Sequence, residues 1–332
     1  MPDSMLVAQL HGPADLRVDE IPHPGAPQAG EVLLRVRSTG ICGSDLHPYE
    51  SGTIGDTLLG SPLTLGHEFS GVIEEVGEGV NFTSGTRVAV DPAWTCGACS
   101  ECLRGHPNLC RQQKFCGLYP NHGSLCQWML VPARCCHPVP DSISDNEAAL
   151  LEPLGVALHA VNLARIRVGD SVAVLGAGPI GLCIIQLAKL AGAGTVYVTE
   201  KLPWRLQMAE QFGAVPLPGK TEVDVSLEAA WVQDSAQQAV EITRPGGVVV
   251  LVGIPLEDEL TLKHSALRRK GLTLLMCRRM KHVYERTIPL VASGQIDLKS
   301  LVTHRFPLAQ AAEAFRMNAK YEDNVIKAMI ES

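Results

Sequence analysis

The spacing of apolar and polar positions changes character near the middle of the chain. Up to about residue 150, apolar runs are short and punctuated by Gly and Pro. The runs EVLLRVR at 31–37, FSGVIEEV at 69–76 and TRVAV at 86–90 alternate or read as buried strands, with turns such as Gly77 to Gly79 between them. This half is expected to form an irregular β-barrel or sandwich. A capped helical stretch at 144–152 marks the change. Strand and helix then alternate: strands at 171–175, 195–199, 223–227, 248–252 and 272–276, and a helix at 180–191 after the first of them. Apolar strands interleaved with helices predict a parallel sheet covered on both faces. The tail from Tyr284 to Ser332 holds two helical patterns and a strand-like run at 301–306.

Composition narrows the function classes. The 332 residues are 46% hydrophobic and 19% charged, which suits a folded globular chain of two domains. A net charge of −7 without a long basic run speaks against nucleic acid and anionic membrane as partners. The N-terminus lacks a charged segment followed by an apolar one, and no apolar run reaches the roughly 18 to 20 residues of a membrane helix. A cytoplasmic location is therefore expected. Eleven cysteines is an odd count, so thiolates for metal are a better expectation than a disulfide framework.

Cys96, Cys99 and Cys102, followed at a distance by Cys110, carry the most specific chemistry. Two residues between thiolates let a loop fold back around one ion, and four thiolates close a tetrahedral zinc shell. A closed shell leaves no place for a substrate, so this loop alone predicts metal and not catalysis.

The strand at 171–175 runs into Gly176-Ala-Gly178-Pro179-Ile180-Gly181 and then the helix. That order is the dinucleotide fingerprint: a tight turn at Gly176, close backbone approach to a pyrophosphate at Gly178, and close helix–strand packing at Gly181. Glu200 ends the second strand, where a carboxylate accepts hydrogen bonds from the adenosine ribose and repels a 2′-phosphate. NAD is favoured over NADP, although Lys201 and Arg205 add nearby positive charge.

Two further clusters remain, Cys42-Gly-Ser44-Asp45-Leu-His47 and Gly66-His67-Glu68. Together with the four-cysteine loop, LEPLGV at 151–156 and GAGPIG at 176–181, in this order, they make the chain resemble the zinc-containing medium-chain alcohol dehydrogenases over essentially its whole length. Glu152 and LVTHRFPL at 301–308 resemble the sorbitol (polyol) and threonine dehydrogenase branch.

The resemblance implies an α/β fold: a doubly wound parallel (Rossmann) sheet at 153–279 and a GroES-like β-barrel catalytic domain at 1–152, rejoined by 280–332. It implies two zinc ions, a structural one at Cys96, Cys99, Cys102 and Cys110, and a catalytic one at Cys42, His67 and a glutamate. That glutamate is Glu68 or Glu152, and the sequence does not choose. Asp45 matches the carboxylate that orients the zinc-bound histidine. Ser44 and His47 match the proton relay, the alternative for His47 being an exposed loop histidine. Arg279 matches an arginine near substrate and nicotinamide, with Arg278 as the neighbouring register. Pro179, Ile180 and Arg205 join the glycines and Glu200 as cofactor-binding residues. The implied reaction moves a hydride from a polyol-like secondary alcohol to NAD in a homodimer or homotetramer that pairs near Leu272. The alternatives are L-threonine 3-dehydrogenase, or a zinc-binding protein that has lost its cofactor.

One departure from the family pattern stands out. Only Pro216 to Glu222 joins the helix near 205–212 to the strand at Val223. A missing crossover helix and a reduced or absent third strand are expected. Trp231 stands where the family has Gly, and is expected to fill the space so left or to crowd the adenine pocket.

Overall fold

The computed structural model describes residues 2–54, 57–58, 62–230, 232–255 and 259–332; Trp231 lies outside them. The chain divides into two units, 1–152 with 284–332, and 153–283.

The first unit opens with a hairpin, β1 (Ser4–Gly12) and β2 (Asp15–Pro22). It continues through β3 (Glu31–Gly40), α1 (Gly43–Ser51), β4 (Glu68–Val76), β5 (Arg87–Val90), β6 (Trp128–Pro132) and β7 (Cys136–Pro138). Helix α2 (Asp145–Ala149) follows, with Ser144 and Glu147 exchanging capping-box hydrogen bonds, and then α3 (Leu151–Ala164), which spans the boundary.

The second unit alternates β8 (Ser171–Leu175), α4 (Pro179–Leu190), β9 (Thr195–Thr199), α5 (Pro203–Gln211), β10 (Val215–Pro216), β11 (Val223–Glu228), α6 (Gln233–Ile242), β12 (Thr243–Leu251), α7 (His264–Lys270) and β13 (Thr273–Met276). The first unit is completed by α8 (Tyr284–Ala292), β14 (Val302–Pro307), α9 (Ala311–Ala319) and β15 (Lys327–Glu331). Among the described residues no helix is long and apolar enough to cross a membrane.

Strand β3 organises the first unit. Its Val32, Leu33, Leu34 and Val36 are fully buried, and it pairs with β4, β6 and β15. Among the described residues the resulting sheet runs β7-β5-β4-β3-β15-β14, with β6 also on β3. The register brings three distant segments to one point. Gly40 ends β3 opposite Glu68 at the start of β4 and opposite Met329 of β15. Cys42, His67 and Lys327 therefore leave or enter the sheet side by side. The tail is tied in elsewhere too: the Tyr284 hydroxyl donates to the Val90 carbonyl at 2.9 Å, and its ring stacks on His137 at 4.0 Å.

In the second unit all strands are parallel, in the order β10-β9-β8-β11-β12-β13. This is the doubly wound order, with its switch point between β8 and β11. Ala173, Leu175, Val223, Val249 and Leu251 pack against Ala236 and Ala239 of α6. The expected shortening is present. The third strand, β10, is two exposed residues, and Leu217 to Glu222 carry the chain to β11 without a helix. Crossing three strand spacings, about 14 Å, and dropping about 13 Å to the start of β11 makes a path of roughly 20 Å, which six extended residues can span. A longer β10 would put that path out of reach.

Candidate active site

The four-cysteine loop forms one compact group. The Sγ atoms of Cys96, Cys99, Cys102 and Cys110 lie within 4.8 Å of one another. Cys110 and Cys96 are 3.5 Å apart and Cys99 and Cys110 3.9 Å. Zinc–sulfur bonds of about 2.3 Å in a tetrahedron place sulfurs about 3.8 Å apart, so the spacing fits zinc. It is far too long for a disulfide, and no disulfide joins any of the eleven cysteines. Backbone N–H groups of Ala98 and Cys99 donate to Cys96 Sγ, and that of Cys96 to Cys110 Sγ. Backbone N–H donors from Cys102 and Arg111 hold the Cys99 thiol down to about 6, while burial and the neighbouring sulfurs push Cys102 up to about 12. Four thiolates this close repel one another, and a divalent cation among them relieves that repulsion.

The second group is Cys42, His67 and Glu68, whose donor atoms also lie within 4.8 Å of one another. Asp45 builds it. Its Oδ2 accepts the Cys42 N–H at 3.0 Å at the start of α1, and its Oδ1 accepts the Gly66 N–H at 3.2 Å. The same Oδ1 lies 3.2 Å from His67 Nδ1. Donation from Nδ1–H leaves the Nε2 lone pair for a metal. Burial alone would raise the Asp45 carboxyl, but His67 and the two backbone donors hold it below its ordinary value. The Ser44 hydroxyl stands 3.3 Å from both Cys42 Sγ and His67 Nε2, and the Phe115 ring is tilted against His67 at 5.2 Å.

Of the two candidate carboxylates, Glu68 stands with Cys42 and His67. Glu152 is buried in the first turn of α3, outside that group. Glu68 has a partner absent from the sequence reading: Lys327 Nζ lies 2.7 and 2.9 Å from its two oxygens and donates to the Ile41 carbonyl at 2.9 Å. Both side chains are almost wholly buried. A Cβ on Gly40 would run into Glu68 Oε2 and would have to displace it from Lys327. A thiol, an imidazole nitrogen and a carboxylate, with Asp45 behind them, form a donor set suited to zinc with one position open.

His47 is not an exposed loop residue. It lies inside α1, 3% exposed, and burial pushes its imidazole down to about 4, leaving it neutral at pH 7. Arg279 follows β13 in left-handed backbone, φ 55°, a conformation that costs a non-glycine residue free energy.

At the fingerprint, Gly178 caps α4, and Pro179 and Ile180 form its first turn, so backbone N–H groups and the helix dipole face the approach of a phosphate. Gly176 has φ 96°, and a Cβ there would meet Ala230 Cα at 2.6 Å; one on Gly181 would strike the Gly176 carbonyl. Arg205 Nη1 lies 3.6 Å from the Cβ position of Gly178, placing a cation over the turn. Glu200 Oε2 accepts the Ala177 N–H at 2.8 Å, and Oε1 accepts those of Lys201 and Leu202 at 2.7 and 2.9 Å. Glu228 holds the opposite side of this turn and was not singled out in the sequence. Its signal there is an acid ending an apolar strand, as Glu200 does.

A two-unit molecule with a doubly wound dinucleotide sheet, a closed cysteine site and an open Cys–His–Glu site is a zinc-containing medium-chain alcohol dehydrogenase, and the chain belongs to that family. Residues 28–141 match the alcohol dehydrogenase GroES-like domain and 179–293 the zinc-binding dehydrogenase domain. Its relatives include sorbitol dehydrogenases of Bacillus subtilis, 34% identical over 99% of this chain and 98% of that one, and of Macaca fascicularis, 38% identical over 92% and 90%. Among solved structures, an Escherichia coli alcohol dehydrogenase complexed with NADH superposes with TM-score 0.91 at 29% identity, covering 100% of both chains. A zinc-binding dehydrogenase of Sinorhizobium meliloti bound to NADP superposes equally well, at the same identity and coverage. The 2R,3R-butanediol dehydrogenase of Bacillus subtilis follows at TM-score 0.88 and 32% identity, covering 99% and 100%.

Proposed function

We propose that this protein is a zinc-dependent dehydrogenase that oxidises a polyol-like secondary alcohol to a ketone, with hydride passing to NAD and a proton to solvent. The carrying observation is the Cys42–His67–Glu68 group with Ser44 at its edge, in a chain alignable end to end with sorbitol dehydrogenases. Cys42, His67 and Glu68 hold the catalytic zinc, and Cys96, Cys99, Cys102 and Cys110 the structural one. When bound, the catalytic zinc acts as a Lewis acid that lowers the alcohol's pKa, and NAD accepts the hydride. Ser44 Oγ takes the alcohol proton. His47, three residues on along the same face of α1, receives it as a neutral imidazole and releases it. Asp45 fixes the His67 tautomer. Glu152 is a buried carboxylate reserved for the substrate side of the site, and Arg279 a substrate contact.

Gly176, Gly178, Pro179, Ile180 and Gly181 cradle the pyrophosphate, with Arg205 above. Glu200 favours NAD by opposing a 2′-phosphate. The outer edge of β13, with Met276 67% exposed and Leu274 beside it, suits pairing with a second copy. The test is a titration of NADH followed by its fluorescence, then a panel of polyols read as NADH absorbance. Saturable NADH binding and oxidation of a vicinal diol or sugar alcohol are expected. Absence of binding at millimolar NADH would sink the proposal.

A further inference from the structure

Glu228 closes β11 at the carboxyl edge of the parallel sheet and is 4% exposed. A carboxylate so buried survives only where donors converge on it, and here they come from three segments. Oε1 accepts the Ala230 N–H at 2.8 Å, from the loop after β11, and lies 2.7 Å from the Ser235 hydroxyl in the first turn of α6, whose single proton it shares with the Val232 carbonyl at 2.6 Å. Oε2 accepts the Gly253 N–H at 3.2 Å, from the loop after β12. The Glu228 carbonyl also accepts the N–H groups of Val252 and Gly253, at 2.9 and 3.1 Å. One residue thus binds the β11 and β12 loops to each other.

The loop it holds is the wall of the dinucleotide turn. Ala229 N–H donates to the Leu175 carbonyl at 2.8 Å, and Ala230 Cα stands 2.6 Å from where a Gly176 Cβ would be. On the other side, Glu200 accepts the N–H of Ala177. The turn is gripped between two carboxylates at the carboxyl ends of the strands flanking β8. Glu200 is exposed enough to face a ribose; Glu228 is not, so its effect reaches a ligand only through backbone.

We infer that Glu228 is a positioning residue for the dinucleotide: it fixes the Ala229–Ala230 wall against the Gly176 turn and locks the Gly253 loop beside it, so that the pyrophosphate cradle is formed before the cofactor arrives. This rests on the nicotinamide dinucleotide reading above. In Glu228→Gln the amide keeps one acceptor but turns an N–H₂ donor toward a backbone N–H, so one of the two loops is released.

The experiment compares full-length wild type, Glu228→Gln and Ser235→Ala by NADH fluorescence titration, by KM for NAD against kcat, and by thermal melting. Glu228→Gln should weaken NADH about tenfold and raise KM for NAD to match, with kcat within about twofold. Ser235→Ala, which removes one neutral donor, should weaken NADH about threefold and supplies the answer should Glu228→Gln fail to fold. A folded Glu228→Gln, or in its place Ser235→Ala, with unchanged NADH affinity would overturn the inference, whatever its melting temperature. Wild type that fails to bind NADH would instead overturn the dinucleotide reading, and the inference with it.

Discussion

The two cysteine-bearing groups of the first unit are built in opposite ways. The four-thiol site is contained in residues 96–110 and depends on one loop and its own N–H···S contacts. The Cys42–His67–Glu68 site is assembled by a sheet: β3 delivers the thiol, β4 the imidazole and carboxylate, and β15, more than 250 residues downstream, the cation that neutralises the carboxylate. A site closed within one loop can be complete and still remote from chemistry. A site held by long-range register keeps an open position because its donors are fixed by strands and need not wrap the ion. Damage to the first should therefore appear as lost stability, and damage to the second as lost turnover.

The largest expected effect is that of Cys42→Ser: turnover should fall by at least about 10³-fold in a protein with an unchanged circular dichroism spectrum. Steady-state oxidation of a responsive polyol measures it, and residual turnover above one per cent contradicts the assignment. Cys99→Ser should remove the loop's metal and cost on the order of 5 kcal/mol, read as a lower melting temperature; an unchanged melt would separate the loop from stability. In the zinc-free protein Lys327→Met leaves the Glu68 carboxylate buried without a cation and should destabilise by about 3–5 kcal/mol in denaturant titration. Lys327→Arg should recover part of this.

The smallest effect concerns pH. Burial pushes the His137 imidazole down to about 4, whereas in the unfolded chain it titrates near its ordinary 6.5. Between these values the unfolded chain binds more protons, so stability falls as pH falls. The loss from pH 7 to pH 5 is about 2 kcal/mol for this group. His137→Phe, which keeps a ring against Tyr284, should flatten that part of the pH dependence.

Much of the molecule was legible where its signals are local. The switch from alternating runs to strand–helix units located both architectures, and the short link at 216–222 foretold the two-residue β10 and the missing helix. The four-cysteine loop and the glycine turn were legible because spacing along the chain sets them. What escaped is what register creates. Lys327 interrupts the apolar run at 325–330, and only the pairing of β15 with β3 sets it on Glu68. Glu228 stands in the sequence only as an acid ending an apolar run, and the closure of two loops over it is what buries it. His47 matches the relay by resemblance, with an exposed loop histidine as the alternative, and only its enclosure in α1 removes that alternative. The choice between Glu68 and Glu152 was open for the same reason, since nothing near either glutamate in sequence reports its distance from Cys42.

The division of labour between the two groups is tested most directly by counting zinc per chain in metal-replete wild type and Cys42→Ser by elemental mass spectrometry, with the melting temperature recorded on the same samples. Two zinc ions should be found in wild type and one in the variant, whose melting temperature should stay close to that of wild type. Two ions in Cys42→Ser, or one in wild type, would contradict it.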